Sequence, residues 1–335
     1  MLSSEEADAK RKRVATEIRA PRVGIVVLNY NSADETVACL EALRVSNGGR
    51  RKTWVVDNAS TDYSETKLPE LLLDEEVWLE TGENLGYAGG NNVAIRQALE
   101  WGAEYILLVN PDVRVSRNFL PPLIRALEAS KSSAMACPLV LEEDGRTIQS
   151  YGGSVNLWTG SCARRLNGRQ GEGITNSHWE AVDFPHGACV LIKRSFLEAV
   201  GLLNEGYFLY YEDVELGLRA AKESWTVLAV GASKVNHSDT TELRKCDPVV
   251  VYFGTRNQAW TEIQYANPLQ LTSFLIVSLL VRWPLNIFLH LAKGKGKAAA
   301  AVIRGVFAGL FSGGWNSTAH LAVPRSGRPF DDTAA

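Results

Sequence analysis

Residues 23–28 form an unbroken apolar run, β-branched in part, which predicts a strand buried on both faces. Asn29-Tyr30-Asn31 ends it, and Ser32-Ala-Asp-Glu35 predicts a capping box that opens a helix to about residue 43. Asn47-Gly48-Gly49 breaks the chain before a second buried strand at 53–57, which runs into Asn58-Ala-Ser-Thr-Asp62. Residues 77–80 predict a short third strand, 82–92 a Gly/Asn-rich loop, and 92–101 a helix ending at Gly102. A fourth strand at 105–109 meets Asn110-Pro111-Asp112, and a helix (119–129) and a strand (134–140) follow. This β-α-β alternation predicts a parallel sheet with helices on both faces.

Polar residues cluster directly after the first, second and fourth strands, at 29–31, 57–62 and 110–112. Any one cluster is compatible with ordinary turn chemistry. Three at equivalent strand ends predict one crevice, since ligands of open α/β sheets bind outside the carboxyl ends of the strands. Neither GxGxxG after the first strand nor GxxxxGK[ST] is present. Carboxylates repel a diphosphate unless a hard divalent cation, Mg²⁺ or Mn²⁺, lies between them. Asp112 is placed for that bridge, and Asp57 for hydrogen bonds from a base or ribose.

Six segments in order carry a resemblance. They are Val26-Val-Leu-Asn-Tyr-Asn31, Val55-Val-Asp-Asn-Ala-Ser-Thr-Asp62, Asn84-Leu-Gly-Tyr-Ala-Gly-Gly-Asn-Asn92, Leu108-Val-Asn-Pro-Asp112, Gly187-Ala-Cys-Val-Leu-Ile-Lys-Arg194 and Phe208-Leu-Tyr-Tyr-Glu-Asp-Val-Glu-Leu216. Over residues 22–260 the chain resembles the inverting family-2 glycosyltransferases with a GT-A fold, in their rhamnosyltransferase-like branch. The resemblance implies that Asp57 reads the donor's pyrimidine base, with Asn29, Asn31 and Asp62 nearby, and that Asn84, Gly86 and Asn91 belong to the loop closing on the nucleotide sugar. Asn110-Pro111-Asp112 stands where the family has DxD; Asn replaces the first acid, which leaves Asp112 as the direct metal ligand and His237 to complete the site. The implied donor is a dTDP- or UDP-sugar, most of all dTDP-L-rhamnose. The implied acceptor is a polyprenyl-diphosphate-linked glycan of cell-surface polysaccharide assembly.

Glu212, Asp213 and Glu215 follow the aromatic run Tyr207-Phe208-Leu209-Tyr210-Tyr211. Acids at a helix start suit the macrodipole, whereas acids clustered against aromatic walls have raised pKa values suited to proton transfer. By position in the family Asp213 is the general base, and Glu212 orients the acceptor. Arg256, in Tyr252-Phe-Gly-Thr-Arg-Asn257, is a candidate to meet the leaving diphosphate or else a surface arginine of a helix. Gly187-Ala-Cys-Val enters the acceptor side, and residues 151–180 form either a flap or a surface excursion.

Charge changes the picture at the C-terminus. Residues 263–335 hold seven basic and two acidic residues, a charge of +5, leaving −8 on residues 1–262. Residues 268–292 and 298–315 are apolar, and Lys293, Lys295 and Lys297 lie between them. Arg282 and Pro284 interrupt the first stretch, so two interfacial or re-entrant helices on an anionic cytoplasmic leaflet are expected. The rivals are a bilayer hairpin and a buried helical subdomain or homodimer interface. The net charge of −3 argues against a nucleic-acid partner. Five cysteines without CxxC spacing argue against zinc or a disulfide framework, and the polar N-terminus has no signal-like apolar core. The expected organisation is a polar extension (1–20), a GT-A catalytic domain (21–262) with donor half 21–140 and acceptor half 141–262, membrane-associated helices (263–320) and a tail (321–335). The expected location is peripheral, on the inner face of the plasma membrane. The competing functions are a sugar-1-phosphate nucleotidyltransferase, whose glycine-rich basic signature is missing, and a non-catalytic glycan-binding scaffold.

Overall fold

The computed structural model describes residues 20–171, 174, 179–238 and 246–311. The polar extension up to residue 19, the tail 321–335 and the end of the second apolar stretch lie outside the described residues. The chain begins with β1 (Arg22–Asn29), α1 (Ala33–Arg44), β2 (Arg50–Asp57), α2 (Ser64–Leu71), β3 (Glu76–Glu80), α3 (Gly86–Glu100) and β4 (Tyr105–Val109). β5 (Val113–Val115), α4 (Leu120–Glu128), β6 (Ser133–Leu141), β7 (Ile148–Ser150) and the hairpin of β8 (Gly153–Asn156) and β9 (Ser161–Arg164) follow. Then come β10 (Trp179–Val182), β11 (Cys189–Lys193), α5 (Arg194–Val200), α6 (Glu212–Lys222) and β12 (Thr226–His237).

The central sheet runs β10-β12-β6-β11-β4-β1-β2-β3. β1 pairs in parallel with β2 and β4, and β2 with β3, so Asn29 stands opposite Asp57 and the polar clusters meet at one edge. The sheet is mixed, not wholly parallel: β11 runs antiparallel to both β4 and β6 and joins two parallel blocks. β12 carries an irregularity between Val230 and Lys234, after which its end pairs antiparallel with β5, His237 opposite Val113. That bulge re-aims the strand and delivers His237 to the end of β4. The two faces of the sheet each bury an apolar cluster, one under α1 and α4 (Leu40, Leu43, Leu120, Leu123) and one under α3, α5 and α6 (Ile95, Ala98, Phe196, Leu216).

Three local expectations are corrected. Ser32 makes no capping bond; its hydroxyl donates to the Tyr30 carbonyl at 3.1 Å, because the tight turn at Asn31 (φ 53°) brings that oxygen closer than the helix amides. α3 starts at Gly86, not at residue 92. Pro284 does not break the first apolar stretch, which runs as one helix, α8 (Pro268–Ala292), through a π-helical turn at Ser278–Arg282. The wider turn accommodates the proline ring, which falls in the first turn of the segment it leads.

α8 and α9 (Gly296–Phe311) pack with α7 (Pro248–Tyr265) around a small core of Ala259, Phe274, Trp283 and Val302. α9 lies close on α7 at Gly305 and Gly309, where a Cβ would meet the Tyr252 carbonyl at 2.8 Å and the Ala259 Cβ at 2.7 Å. α8 is the one described helix long and apolar enough to cross a membrane; it has 25 residues and is 17% buried over its most apolar window.

Candidate active site

The ends of β1 and β2 form one network. Asn29 Nδ2 donates to Asp57 Oδ1 at 2.8 Å and to Ser60 Oγ at 3.0 Å, and its Oδ1 accepts from the Thr36 hydroxyl at 2.8 Å. Asp57 Oδ2 accepts the Ser60 amide at 2.9 Å. Asn31 Oδ1 takes the amides of Thr61 (2.7 Å) and Asp62 (3.3 Å), while Asp62 Oδ1 takes that of Ser64. Asn29, Asn31, Asp57 and Asp62 are thus brought together, with each Asp57 oxygen retaining capacity for a further donor.

The segment 84–87 closes over this network. Asn84 Oδ1 accepts the Gly86 amide (2.9 Å) and Asn58 Nδ2 (3.0 Å), and Asn58 Oδ1 accepts the Leu85 amide at 3.0 Å. Asn58, 3% exposed, locks the turn, a role that its place inside a motif does not announce. Gly86 has φ +71°, and a Cβ there would stand 2.4 Å from the Phe208 carbonyl, which also accepts the Tyr87 amide. The donor-side turn is therefore seated on the aromatic run that precedes the acids. Asn91 is placed differently from Asn84: it lies within α3 and its amide turns back to the Tyr87 carbonyl at 2.8 Å.

Asn110 donates its amide to the Ala188 carbonyl at 2.9 Å, tying the end of β4 to the entry of β11. Asp112 follows, with Oδ1 3.2 Å from His237 Nε2. The contact lacks hydrogen-bond alignment, and Asp112 Oδ1 is a buried oxygen without a hydrogen-bond partner among the described residues. His237 Nδ1 lies 2.7 Å from Gln149 Oε1. The Gln149 amide nitrogen donates to Glu142 Oε2 (3.2 Å) and to the His237 carbonyl (3.3 Å), which orients Oε1 toward the ring. The Nδ1 proton is then committed to Gln149, and Nε2 presents a lone pair to a carboxylate oxygen. Two acceptors facing each other at this distance fit a divalent cation, with a hydrogen bond on the far ring nitrogen as metal-binding histidines have. Among the described residues no group of three His, Cys, Asp or Glu side chains gathers, so the remaining ligands of such an ion would be donor phosphates and water. Gln149 belongs to no motif, and only its approach to His237 in space reveals it.

Glu212 and Asp213 open α6 behind Tyr210 and Tyr211, both in left-handed backbone conformations (φ 65° and 71°). Left-handed non-glycine residues in succession are costly and often mark functional segments. Asp213 Oδ2 accepts the Gly187 amide (3.1 Å) and Oδ1 the Val214 amide (2.8 Å). Glu212 is 7% exposed, and its Oε2 has no partner among the described residues. Burial, then the neighbouring Asp213 charge, pushes Glu212 up to about 8, and burial raises Asp213 against the opposing charge of Arg164. Two backbone amides make Asp213 the stronger acid of the pair, so it ionises first while Glu212 keeps the shared proton. The half-buried Tyr87, its hydroxyl bonded to the Gly187 carbonyl at 2.8 Å, lies in the field of Glu212, Asp213 and Asp112 together. Asp112 and the acid pair thus both lie within electrostatic reach of this one tyrosine.

Arg256 has a different place from the one expected of a diphosphate ligand. It is 1% exposed, donates to the carbonyls of Gly206 (2.7 Å) and Tyr207 (3.0 Å), and stacks on Trp260 at 4.0 Å. Asn257 beside it binds the carbonyls of Tyr207, Leu209 and Tyr210. Both are struts beneath the 206–211 segment: a buried guanidinium compensated by backbone oxygens, not one open to a leaving group.

Residues 24–201 match the Glycosyl transferase family 2 model, more than half of the chain. The chain belongs to glycosyl transferase family 2. It is 28% identical over 204 residues to the low-salt glycan biosynthesis hexosyltransferase Agl10 of Haloferax volcanii, covering 60% of this chain and 62% of that one. Against the N-acetylglucosaminyl-diphospho-decaprenol L-rhamnosyltransferase of Mycobacterium tuberculosis it is 26% identical over 234 residues, 64% of this chain and 75% of that protein. The dTDP-rhamnosyl transferase RfbF of Shigella flexneri is 26% identical over 184 residues, with 55% and 58% covered. The mannosyltransferase PcManGT of Pyrobaculum calidifontis, solved with GDP-Man and Mn²⁺, shares the fold with a TM-score of 0.56 at 15% identity, over 91% of this chain and 94% of that one.

Proposed function

We propose that the protein transfers a sugar with inversion from a nucleotide-sugar donor, dTDP-L-rhamnose, to a polyprenyl-diphosphate-linked glycan in cell-surface polysaccharide assembly. The observation that carries this reading is that Asp112 faces His237 at 3.2 Å and that Asp112 and Asp213 both act on Tyr87. The rhamnosyltransferase names of two relatives support the donor, and the diphospho-decaprenol of one supports the acceptor.

Asp57, with Asn29 and Ser60 fixing both carboxylate oxygens, holds the base, and the Asn58-locked turn 84–86 covers the nucleotide. Asp112 and His237 would hold Mg²⁺ or Mn²⁺, which when bound supplies positive charge to the donor diphosphate. Asp213 Oδ takes the proton of the acceptor hydroxyl as that oxygen attacks the anomeric carbon from the face opposite the diphosphate. Glu212, protonated and buried, donates a hydrogen bond that orients the acceptor. α8 and α9 lie in the plane of an anionic membrane surface: Leu280, Leu285, Phe288 and Phe307 are exposed, and Lys293, Lys295 and Lys297 form the basic rim.

The test is release of nucleoside diphosphate and formation of a product with the anomeric configuration of the donor inverted, from a panel of dTDP- and UDP-sugars with Mg²⁺ or Mn²⁺. The reading stands if one donor is turned over with inverted anomeric configuration and EDTA abolishes transfer; retention of configuration overturns it.

A further inference from the structure

Beneath α8 lies a second polar cluster that the transfer chemistry leaves unused. α8 holds a single Lys, Arg, Asp or Glu, which is Arg282. Its Nη2 donates to Ser161 Oγ on β9 at 3.1 Å in a bond open to solvent, so the guanidinium reaches from the surface inward. Its Nη1 is fully buried with no hydrogen-bond partner among the described residues. Ser278, four residues earlier on the same helical face, is 0% exposed and its hydroxyl is likewise unpartnered. Glu262 of α7, 2% exposed, has Oε2 unpartnered and lies within the field of Arg282. Gly160 comes so near that a Cβ would stand 3.0 Å from Arg282 Nη1.

The unmet groups are of one kind. Burial pushes Glu262 up to about 8, so at neutral pH it carries a proton and donates. Arg282 N–H, Ser278 O–H and Glu262 O–H are then donors without acceptors, and buried groups of that kind are costly and rare. A cation among unmet donors calls for an anion with several oxygens, and the planar guanidinium matches phosphate in particular.

We propose that Arg282, with Ser278 and Ser161, binds a phosphate group of the lipid-linked acceptor. The inference rests on the transfer reading above and adds the place where the acceptor is gripped. Apolar surface for the prenyl tail lies on the same helix, at Leu279, Leu280 and Leu285. On the other side, Cys162 next to Ser161 lies in the electrostatic reach of both Arg282 and Asp213, and Tyr211, the residue before Glu212, in that of Arg282, so the path from Arg282 leads toward the acid pair. Phosphate is the group that joins tail to sugar, and Arg282 neighbours both the exposed leucines of α8 and Tyr211.

The probes are farnesyl-diphospho-N-acetylglucosamine, the phenyl glycoside of the same sugar, and farnesyl diphosphate alone. Wild-type kcat/KM should favour the diphosphate acceptor, and Arg282→Gln should lose that preference about 10–100-fold through its KM, the range for a lost hydrogen bond to a charged group. Arg282→Lys should keep part of it. Calorimetric binding of farnesyl diphosphate should weaken in step, which tests the site even if no sugar transfer is found. An unchanged preference and unchanged farnesyl diphosphate binding in a normally melting Arg282→Gln, or in Arg282→Lys and →Ala should the Gln variant not fold, overturns the proposal. So does a variant that only loses flotation on phosphatidylglycerol vesicles with acceptor KM intact, since the ligand would then be a phospholipid headgroup. Absence of transfer by the wild type to either acceptor, with farnesyl diphosphate still bound through Arg282, would refute the transfer reading and leave the phosphate site standing.

Discussion

Asp213 and Glu212 are adjacent in sequence yet chemically unequal, because only Asp213 is held by two backbone amides. Asp213→Asn preserves size and removes the proton acceptor, so kcat should fall about 10²–10⁴-fold with donor affinity nearly constant. Near wild-type turnover would assign the base elsewhere. The acidic limb of the rate profile should lie above the ordinary carboxylate range, since burial raises Asp213. Stability carries the complementary signal. From about 4.5, the ordinary value, up to about 8, the unfolded chain has released the Glu212 proton while the folded protein keeps it. Stability is therefore greatest below this window and declines as pH rises through it. Melting curves from pH 5 to 8 should show a smaller loss in Glu212→Gln than in the wild type. Gln149 has a comparable role at the other pair, where it fixes the His237 tautomer. Gln149→Leu should weaken Mn²⁺ affinity about 10–100-fold, measured by titration in the presence of nucleoside diphosphate; unchanged affinity would exclude His237 as a ligand held in this way.

Elements differ in how plainly their sequences announce them. α9 sits on α7 through two glycines one turn apart. Gly309→Leu should force the helices apart at Ala259 and Arg256, costing about 1–3 kcal/mol by thermal denaturation. A neutral result would mean that α9 is not held against α7. β1, β2 and β4 were legible because unbroken apolar runs end in Asn and Asp, and buried parallel strands need just that pattern. The start of α3 was not, because Gly86-Tyr-Ala-Gly-Gly-Asn-Asn92 has loop composition. It is helical because tertiary contacts override propensity: Gly90 packs where a Cβ would meet Leu28 at 2.5 Å, and Asn92 binds the Leu203 backbone. The direction of β11 was equally hidden, since an apolar run reads alike both ways. The motifs singled out Asp57, Asp112 and Asp213, which the fold sets at the end of β2, just past β4 and at the start of α6. They gave Arg256 a role that its burial changes, and they missed Gln149, whose partnership with His237 depends on the bulge in β12.

At the scale of the whole molecule, an acidic catalytic body is joined to a basic, apolar platform. The protein should float with phosphatidylglycerol-containing vesicles, and 1 M NaCl should release it only in part, because salt screens the lysines but not apolar burial. Neutralising Lys293, Lys295 and Lys297 should weaken binding by about 1 kcal/mol each, and Leu280→Asp with Phe288→Asp should abolish it. A monodisperse protein that ignores vesicles would make the exposed face of α8 a protein interface instead. The hairpin of β8 and β9 gives this platform a further meaning. Ser161 accepts a hydrogen bond from Arg282 of α8, while its neighbour Cys162 lies in the electrostatic reach of Tyr211, the tyrosine before the acid pair. On the membrane seat proposed above, a hairpin that meets both elements would serve the reacting hydroxyl at one height above the bilayer. A glycan that has already grown outward would carry its tip past that height. On that proposal the protein would act as a ruler, extending short chains near their anchor.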